Sequence, residues 1–286
     1  MAAANAAAYP APMRKRTGAV VCPHCGRLVD VNEAECPFCG RPAPGMFGYG
    51  PALQKWMGSF DLSLAIVGVC VILYILTLVI DPGAIFRMAS LFDLLAPSTR
   101  ALFVLGMTGG FALAEGRWWT LITAVFLHGS LLHLLFNMAI GRRYLQDVVT
   151  LYGNSRAWVI FFVAGVIGFA VSDFAAGVPT IGASGSIFGL LAALIVYGRR
   201  MHRAAVTQQL WMSALVMFVF GFFMPSVNNW AHAGGFAGGF VAAEAVSFAE
   251  RRESPVLLAV AWGTALLVVV AFTLQLLRML ALLTPR

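Results

Sequence analysis

Two sets of side chains in this sequence have the types and spacing of reactive centres. The first lies in apolar stretches. Ser184 is framed by glycines in Gly182-Ala183-Ser184-Gly185-Ser186-Ile187-Phe188-Gly189, His232 sits in Ala231-His232-Ala233-Gly234-Gly235, and His128, His133 and Asn137 share a third stretch. A charge at bilayer depth costs on the order of 2.5 kcal/mol or more, and a neutral imidazole less. Three of the five histidines carry that cost, which points to intramembrane chemistry. His24 and His202 lie in polar segments. A serine hydroxyl is a weak nucleophile until a neutral imidazole takes its proton, so Ser184 and His232 are the candidate nucleophile and base. No acid is placed to orient His232, because Glu244 follows twelve residues later; the pair reads as a dyad, not a triad.

His133 and Asn137, four residues apart, fall on one face of a helix. Together they offer an imidazole and a carboxamide as donors to a developing oxyanion. His128, five residues before His133, is expected about 140° further round the same helix, and a lone intramembrane histidine is ordinarily a packing residue. Ser184 is expected near a helix N-terminus, where free N–H groups and the positive dipole end favour an anion. Gly-x-Ser-Gly alone is a weak signal, since small residues four apart more often mean helix packing in membranes. Both uses are compatible here. Gly185 and Gly189 can meet Gly235 and Gly239 at short distance, which would bring Ser184 opposite His232.

The second set is thiol. Cys22-Pro23-His24-Cys25-Gly26 and Cys36-Pro37-Phe38-Cys39-Gly40 are two Cys-x-x-Cys-Gly knuckles separated by ten residues. This pattern supplies the four sulfurs of a tetrahedral zinc site, with Cys22, Cys25, Cys36 and Cys39 as ligands and His24 as a bystander. A pair of disulfides is the competing reading, disfavoured on a reducing cytoplasmic side. A closed four-cysteine site is structural, and a module of this size needs its metal to fold. A cytoplasmic protein partner is the modest expectation for it. No aromatic-basic stripe supports nucleic-acid binding. Cys70 reads as a small buried hydrophobe.

The elements that must position these groups follow from composition. The 286 residues are 60% hydrophobic and 11% charged, against about 25% charged in a soluble domain. With about 20 apolar residues needed per spanning helix, seven spans are predicted: Leu62–Ile80, Trp118–Ile140, Ala157–Phe174, Gly182–Tyr197, Leu210–Met224, Trp230–Phe248 and Val256–Leu282. With the N-terminus in the cytoplasm, 14 of the 19 lysines and arginines lie on the inner side, as the positive-inside rule asks, and the C-terminus falls outside. The organisation expected is a disordered 1–18, a zinc-ribbon-like module at 19–41, a linker at 42–59, a six-helix core at 60–249 and a seventh transmembrane helix at 250–286. Met1–Gly18 lacks the apolar core of a secretory signal.

At these residues the chain resembles the rhomboid intramembrane serine proteases, over about Phe60 to Phe248. The resemblance rests on Trp118-Trp119-Thr120 ahead of the His128/His133/Asn137 segment, then Gly182-x-Ser184-Gly185 with Gly189, then Ala231-His232-x2-Gly235-x3-Gly239. It implies a fold, an all-α polytopic six-helix rhomboid-like bundle, here with one extra C-terminal helix and the small zinc module in front. It implies Ser184 as nucleophile and His232 as general base. His133, Asn137 and the Ser184 backbone N–H would form the oxyanion hole, and His128 a hydrogen-bonding support. The substrates implied are single-pass membrane proteins cleaved near their outer end, with side access between the second and fifth spans. The location implied is a cell membrane, bacterial by expectation. Two positions depart from the family pattern. Its first-loop Trp-Arg pair falls on Trp119-Thr120, leaving Arg117 as the nearby guanidinium, and its frequent tyrosine four residues after the serine is Phe188, which can stack on His232 without a hydroxyl. Hydrolysis needs water, so the dyad must line a cavity open to one membrane face. The loop Asp81–Gly116 is expected to lie in the membrane interface.

Two other classes compete with the protease reading. A catalytically silent rhomboid-like scaffold or chaperone typically lacks the serine or the histidine, and this chain keeps both. A transporter would use buried histidines too, but intramembrane Asp and Glu are scarce and no repeated halves are visible.

Overall fold

The computed structural model describes residues 17–22, 25–45, 61–86, 90–224, 227–246 and 255–283. The expected disorder of the first residues, His24, most of the 42–59 linker and the loop around Glu250–Glu253 lie outside them. The chain divides into two compact units, residues 1–61 and 62–286.

In the first unit, β1 (Ala19–Val21) and β2 (Leu28–Asp30) form an antiparallel hairpin with Val20 opposite Val29. Alternation leaves Val20 and Val29 buried, where they pack with Val31, Cys22 and Cys36. So small a core cannot offset the chain entropy of ordering it.

The second unit is helical. Its long elements are α1 (Leu62–Ile80), α5 (Leu131–Tyr152), α6 (Asn154–Ala175), α7 (Ser184–Arg200), α8 (Ala204–Phe222), α9 (Asn229–Ala245) and α10 (Pro255–Leu283). Three short helices lie between the first two: α2 (Thr99–Val104), α3 (Gly110–Ala114) and α4 (Thr120–Thr123). Among the described residues, four helices are long and apolar enough to cross a membrane: α1, α6, α8 and Val256–Ala281 of α10. A fifth span results if α4, the 3₁₀ turn that follows it and α5 are taken as one bent element. α7 and α9 have 17 residues each. These two are the interior of the bundle: 13 residues of α7 are buried, on every side of the helix, as an inner helix requires. The apolar faces of α1, α8 and α10 point outward, where only lipid can cover them at no cost.

The first predicted span coincides with α1, and helices occupy the third to seventh with ends shifted by one to six residues, but α7 and α9 are not among the helices long and apolar enough to cross a membrane. The second span needs correction. Trp118–Ile140 is not one helix: α4 and a 3₁₀ turn (Ala124–Phe126) stop at Leu127, and α5 begins at Leu131 after a 90° bend. Ser130 causes the restart. Its backbone is extended, and its side chain accepts from the His133 N–H at 3.2 Å, a helix N-cap. α5 then runs to Tyr152 and joins α6 through Gly153 alone, at φ +84°. The segment between the second and third predicted spans is therefore mostly helix, with Arg156 buried and its Nη1 donating to the Tyr152 carbonyl at 3.2 Å. Between α1 and α2 the chain makes 3₁₀ turns at Pro82–Phe86 and Leu91–Asp93, exposing Phe86, Leu91 and Phe92, as suits a flank at the membrane interface.

Candidate active site

Ser184 is the first residue of α7. The loop before it enters on Gly182, whose φ of +116° is a conformation L side chains rarely adopt. His232 lies one turn into α9. Its Nε2 is 2.8 Å from Ser184 Oγ. The helices can come this close because glycine faces glycine. A Cβ on Gly235 would lie 2.6 Å from the Gly185 carbonyl carbon, and one on Gly239 would lie 2.6 Å from the carbonyl oxygen of Gly189. α6 approaches α9 in the same way, with Gly168 beside the Ala231 carbonyl. The predicted glycine face is thus present, and α9 lies sandwiched between α6 and α7 by small residues on two sides.

His232 is buried, and the ring of Phe188 stacks on it with centroids 4.4 Å apart and planes 24° apart. Its Nδ1 has no hydrogen-bond partner among the described residues. Glu244 pairs instead with Arg200, at the other end of α7. The arrangement pairs a hydroxyl with an imidazole that is held by an aromatic ring instead of an acid. Ser184, by contrast, is only half-buried.

His133 is on α5. The Gly129 N–H donates to its Nδ1 at 3.3 Å. With Nδ1 accepting, the proton of a neutral ring sits on Nε2. That nitrogen faces the loop entering α7: a Cβ at Gly182 would be only 2.7 Å from it. Asn137, one turn on, gives one amide proton to the His133 carbonyl at 2.8 Å and keeps a second. It lines a small cavity with Ala183 and Ile187, the neighbours of Ser184. The His133 side chain therefore faces Gly182, and Asn137 shares a cavity with Ala183, the residue before Ser184.

His128 differs from expectation. It lies in the bend, off the helix, so the 140° offset does not apply. It is fully buried with its ring edge against His133, centroids 5.1 Å apart, and neither nitrogen has a hydrogen-bond partner within the described residues. It packs where a hydrogen-bonding support was expected.

The first-loop departure has a structural answer that the sequence pattern did not reveal. Arg117 is fully buried, its guanidinium 4.2 Å over the Phe103 ring and its Nη2 donating to the Phe103 carbonyl at 3.4 Å. Thr120 donates to the Arg117 carbonyl at 2.7 Å. The brace for this loop comes from α10. Gln275, buried in an otherwise lipid-facing helix, accepts from the Trp119 indole at 2.9 Å and donates to the Val104 and Phe103 carbonyls at 2.7 and 3.3 Å. Arg278 adds an ion pair to Glu115. Two polar residues in an apolar helix were the available signal. A Gln275→Leu variant keeps the volume and strands these groups, and is expected to cost about 1–3 kcal/mol. The check is a lower melting midpoint in detergent, against no shift for Thr273→Leu, whose hydroxyl bonds only the Val269 carbonyl of its own helix.

In the N-terminal unit the sulfurs of Cys22, Cys25, Cys36 and Cys39 all lie within 4.8 Å of one another. Two of the edges are 3.9 Å (Cys22–Cys39) and 3.5 Å (Cys25–Cys36). A tetrahedral zinc–thiolate site with bonds of about 2.3 Å has edges of about 3.8 Å. The two knuckles are built alike. The Gly26 and Gly40 N–H groups each donate to the carbonyl of their knuckle's first cysteine at 2.9 Å, and those glycines have φ +70° and +69°. None of the four cysteines forms a disulfide, so the cluster could hold a metal ion. Purified protein is expected to carry about one zinc per chain, and Cys22→Ser/Cys36→Ser none, by elemental analysis; binding of this kind is worth about 10–16 kcal/mol, enough to be the module's fold.

Residues 115–248 match the family model for the rhomboid domain. The chain is 33% identical over 170 residues to the Rhomboid protease GluP of Bacillus subtilis, a match covering 56% of this chain and 34% of that protein. It is 33% identical over 158 residues to RHOMBOID-like protein 5 of Arabidopsis thaliana, covering 51% and 50%. It is also 30% identical over 131 residues to the Inactive rhomboid protein 1 of Danio rerio, covering 43% and 15%. The chain thus spans half or less of the length of these relatives. Together with the apolar helices, the match supports a multi-pass integral membrane protein whose residues 115–248 are similar to the rhomboid domain.

Proposed function

We propose that this chain is an intramembrane serine endopeptidase that cleaves single-pass transmembrane proteins. His232, neutral, takes the Ser184 proton through Nε2 as Oγ attacks the substrate carbonyl. The oxyanion is held by the Ser184 backbone N–H at the start of α7, by His133 Nε2–H and by the free amide proton of Asn137. His232 then returns its proton to the leaving amine, and water releases the acyl group by the same route in reverse. The four cysteines hold a structural zinc that takes no part in these steps. The proposed orientation places the N-terminus in the cytoplasm and the dyad toward the outer leaflet, where water reaches it. A substrate strand must unwind before its peptide bond is accessible, so small or helix-breaking residues near the cut are expected in it.

The observation that supports this reading most is the 2.8 Å separation of Ser184 Oγ and His232 Nε2 across two different helices. The test is reconstitution in liposomes with a panel of single-pass substrates, alongside labelling by a fluorophosphonate probe. Labelling at Ser184 and cleavage of at least one substrate are expected. Neither occurring would leave the second reading, a silent membrane scaffold, which the inactive relative makes worth the comparison.

A further inference from the structure

Glycine faces let α7 and α9 approach but do not fix how far one slides along the other, because a smooth face has no ridges to lock. Something else must set the register that brings Ser184 to His232. The geometry points to Asn228 as that positioning residue: its carboxamide grips the segment that delivers the nucleophile and the helix that delivers the base. This inference rests on the protease reading above.

Asn228 is the N-cap of α9. Its Oδ1 accepts from the N–H groups of Trp230 and Ala231 at 3.1 and 3.4 Å, and its backbone carbonyl accepts from the His232 N–H at 3.3 Å. On its other side, Nδ2 donates to Ser172 Oγ at 2.6 Å and to Thr180 Oγ1 at 2.9 Å. A carboxamide has two protons and two acceptor lone pairs, and all four are used. Ser172 is fully buried near the end of α6, and its hydroxyl lies 3.3 Å from that of Thr180. Thr180 is four residues before Ser184, and is itself fixed by its N–H to the Thr108 carbonyl at 3.0 Å. Two residues further on, the Gly182 N–H bonds the Ala124 carbonyl at 2.9 Å. From Asn228, four residues lead to each member of the dyad: His232 directly, and Ser184 by way of Thr180. A cap that only ended the helix would need no donor. The donor half of this amide ties α9 to the end of α6 and to the loop entering α7.

Chemistry separates the two halves. Asn228→Ser keeps a cap and loses the tie. Ser172→Ala/Thr180→Val keeps the cap and removes what the tie grips. Asn228→Asp keeps both, because the two hydroxyls can turn and donate to the carboxylate. In the full chain in liposomes, Asn228→Ser and Ser172→Ala/Thr180→Val are expected to lower kcat and the fluorophosphonate labelling rate about tenfold or more, as misplacements of under 1 Å do. KM should stay within about twofold, since the substrate-facing surfaces are untouched. Asn228→Asp should recover at least about a third of the wild-type kcat, its cap unchanged. In melting midpoints, which need no activity, Asn228→Ser and the double variant should combine to less than the sum of their separate effects. Wild-type kcat in either tie-breaking variant, an Asp variant no better than the Ser variant, or additive midpoints would overturn the assignment. A wild type that neither cleaves nor labels overturns the protease reading instead, and the midpoint coupling then decides the tie on its own.

Discussion

Ser184→Ala is expected to lower the cleavage rate about 10⁴-fold or more, and His232→Ala to do the same. The reason is that neither group acts alone: the hydroxyl is inert without the imidazole, and the imidazole has no proton to take without the hydroxyl. Removing both should therefore cost about as much as removing either. The fold should survive. Alanine at 184 removes one hydroxyl from a half-buried position and one hydrogen bond from His232, a loss of about 1 kcal/mol. Alanine at 232 also removes the stack on Phe188 and opens a cavity, so its melting midpoint should fall further than that of the serine variant. His133→Ala leaves the dyad in place and withdraws one oxyanion donor, and a fall of about 10²–10³ is expected. The readout is single-turnover cleavage in liposomes with folded protein quantified in each sample. Full activity in Ser184→Ala would end the assignment. So would a double variant worse than either single one by the product of their effects, since independent groups multiply.

What was legible in the sequence had a local cause. α1 shows its ends because Leu62–Ile80 is an unbroken apolar run bounded by Asp61 and Asp81. The pairing of Ser184 with His232 shows because serine and histidine are costly in apolar helices and their glycines repeat every four residues, a period that close packing explains. The bend before α5 was not legible. Apolar residues run through it on both sides, and hydropathy cannot report that Ser130 turns its hydroxyl back onto the His133 N–H. The brace at Gln275 was not legible either, because its partner Trp119 lies 156 residues earlier. Asn228 reads locally as an N-cap, and its second role appears only when Ser172 and Thr180 arrive from another helix and another loop. The last two misses are polar contacts between segments distant in the chain, where tertiary structure supplies what periodicity cannot.

Gly235→Ala carries the second large effect, and tests the packing on which the chemistry depends. A Cβ there would lie 2.6 and 2.7 Å from the carbonyl carbon and Cα of Gly185. These are backbone atoms of a buried helix, so no side chain can rotate away. α7 and α9 must part instead. Gly185 adjoins Ser184, and Gly235 is three residues from His232, so the parting falls directly on the 2.8 Å contact. An added 1 Å takes the pair beyond hydrogen-bonding range and should lower the labelling and cleavage rates about 10²-fold or more. Overpacking should cost about 1–3 kcal/mol of stability besides. Loss of rate should exceed any loss of folded protein, because the displacement is largest where the reaction occurs. Gly263→Ala on α10 is the control. Its Cβ would meet nothing within 4 Å, and the higher helix propensity of alanine should leave stability unchanged or raised by up to about 1 kcal/mol. Equal activity in the two variants would mean that the glycine contact does not set the dyad distance.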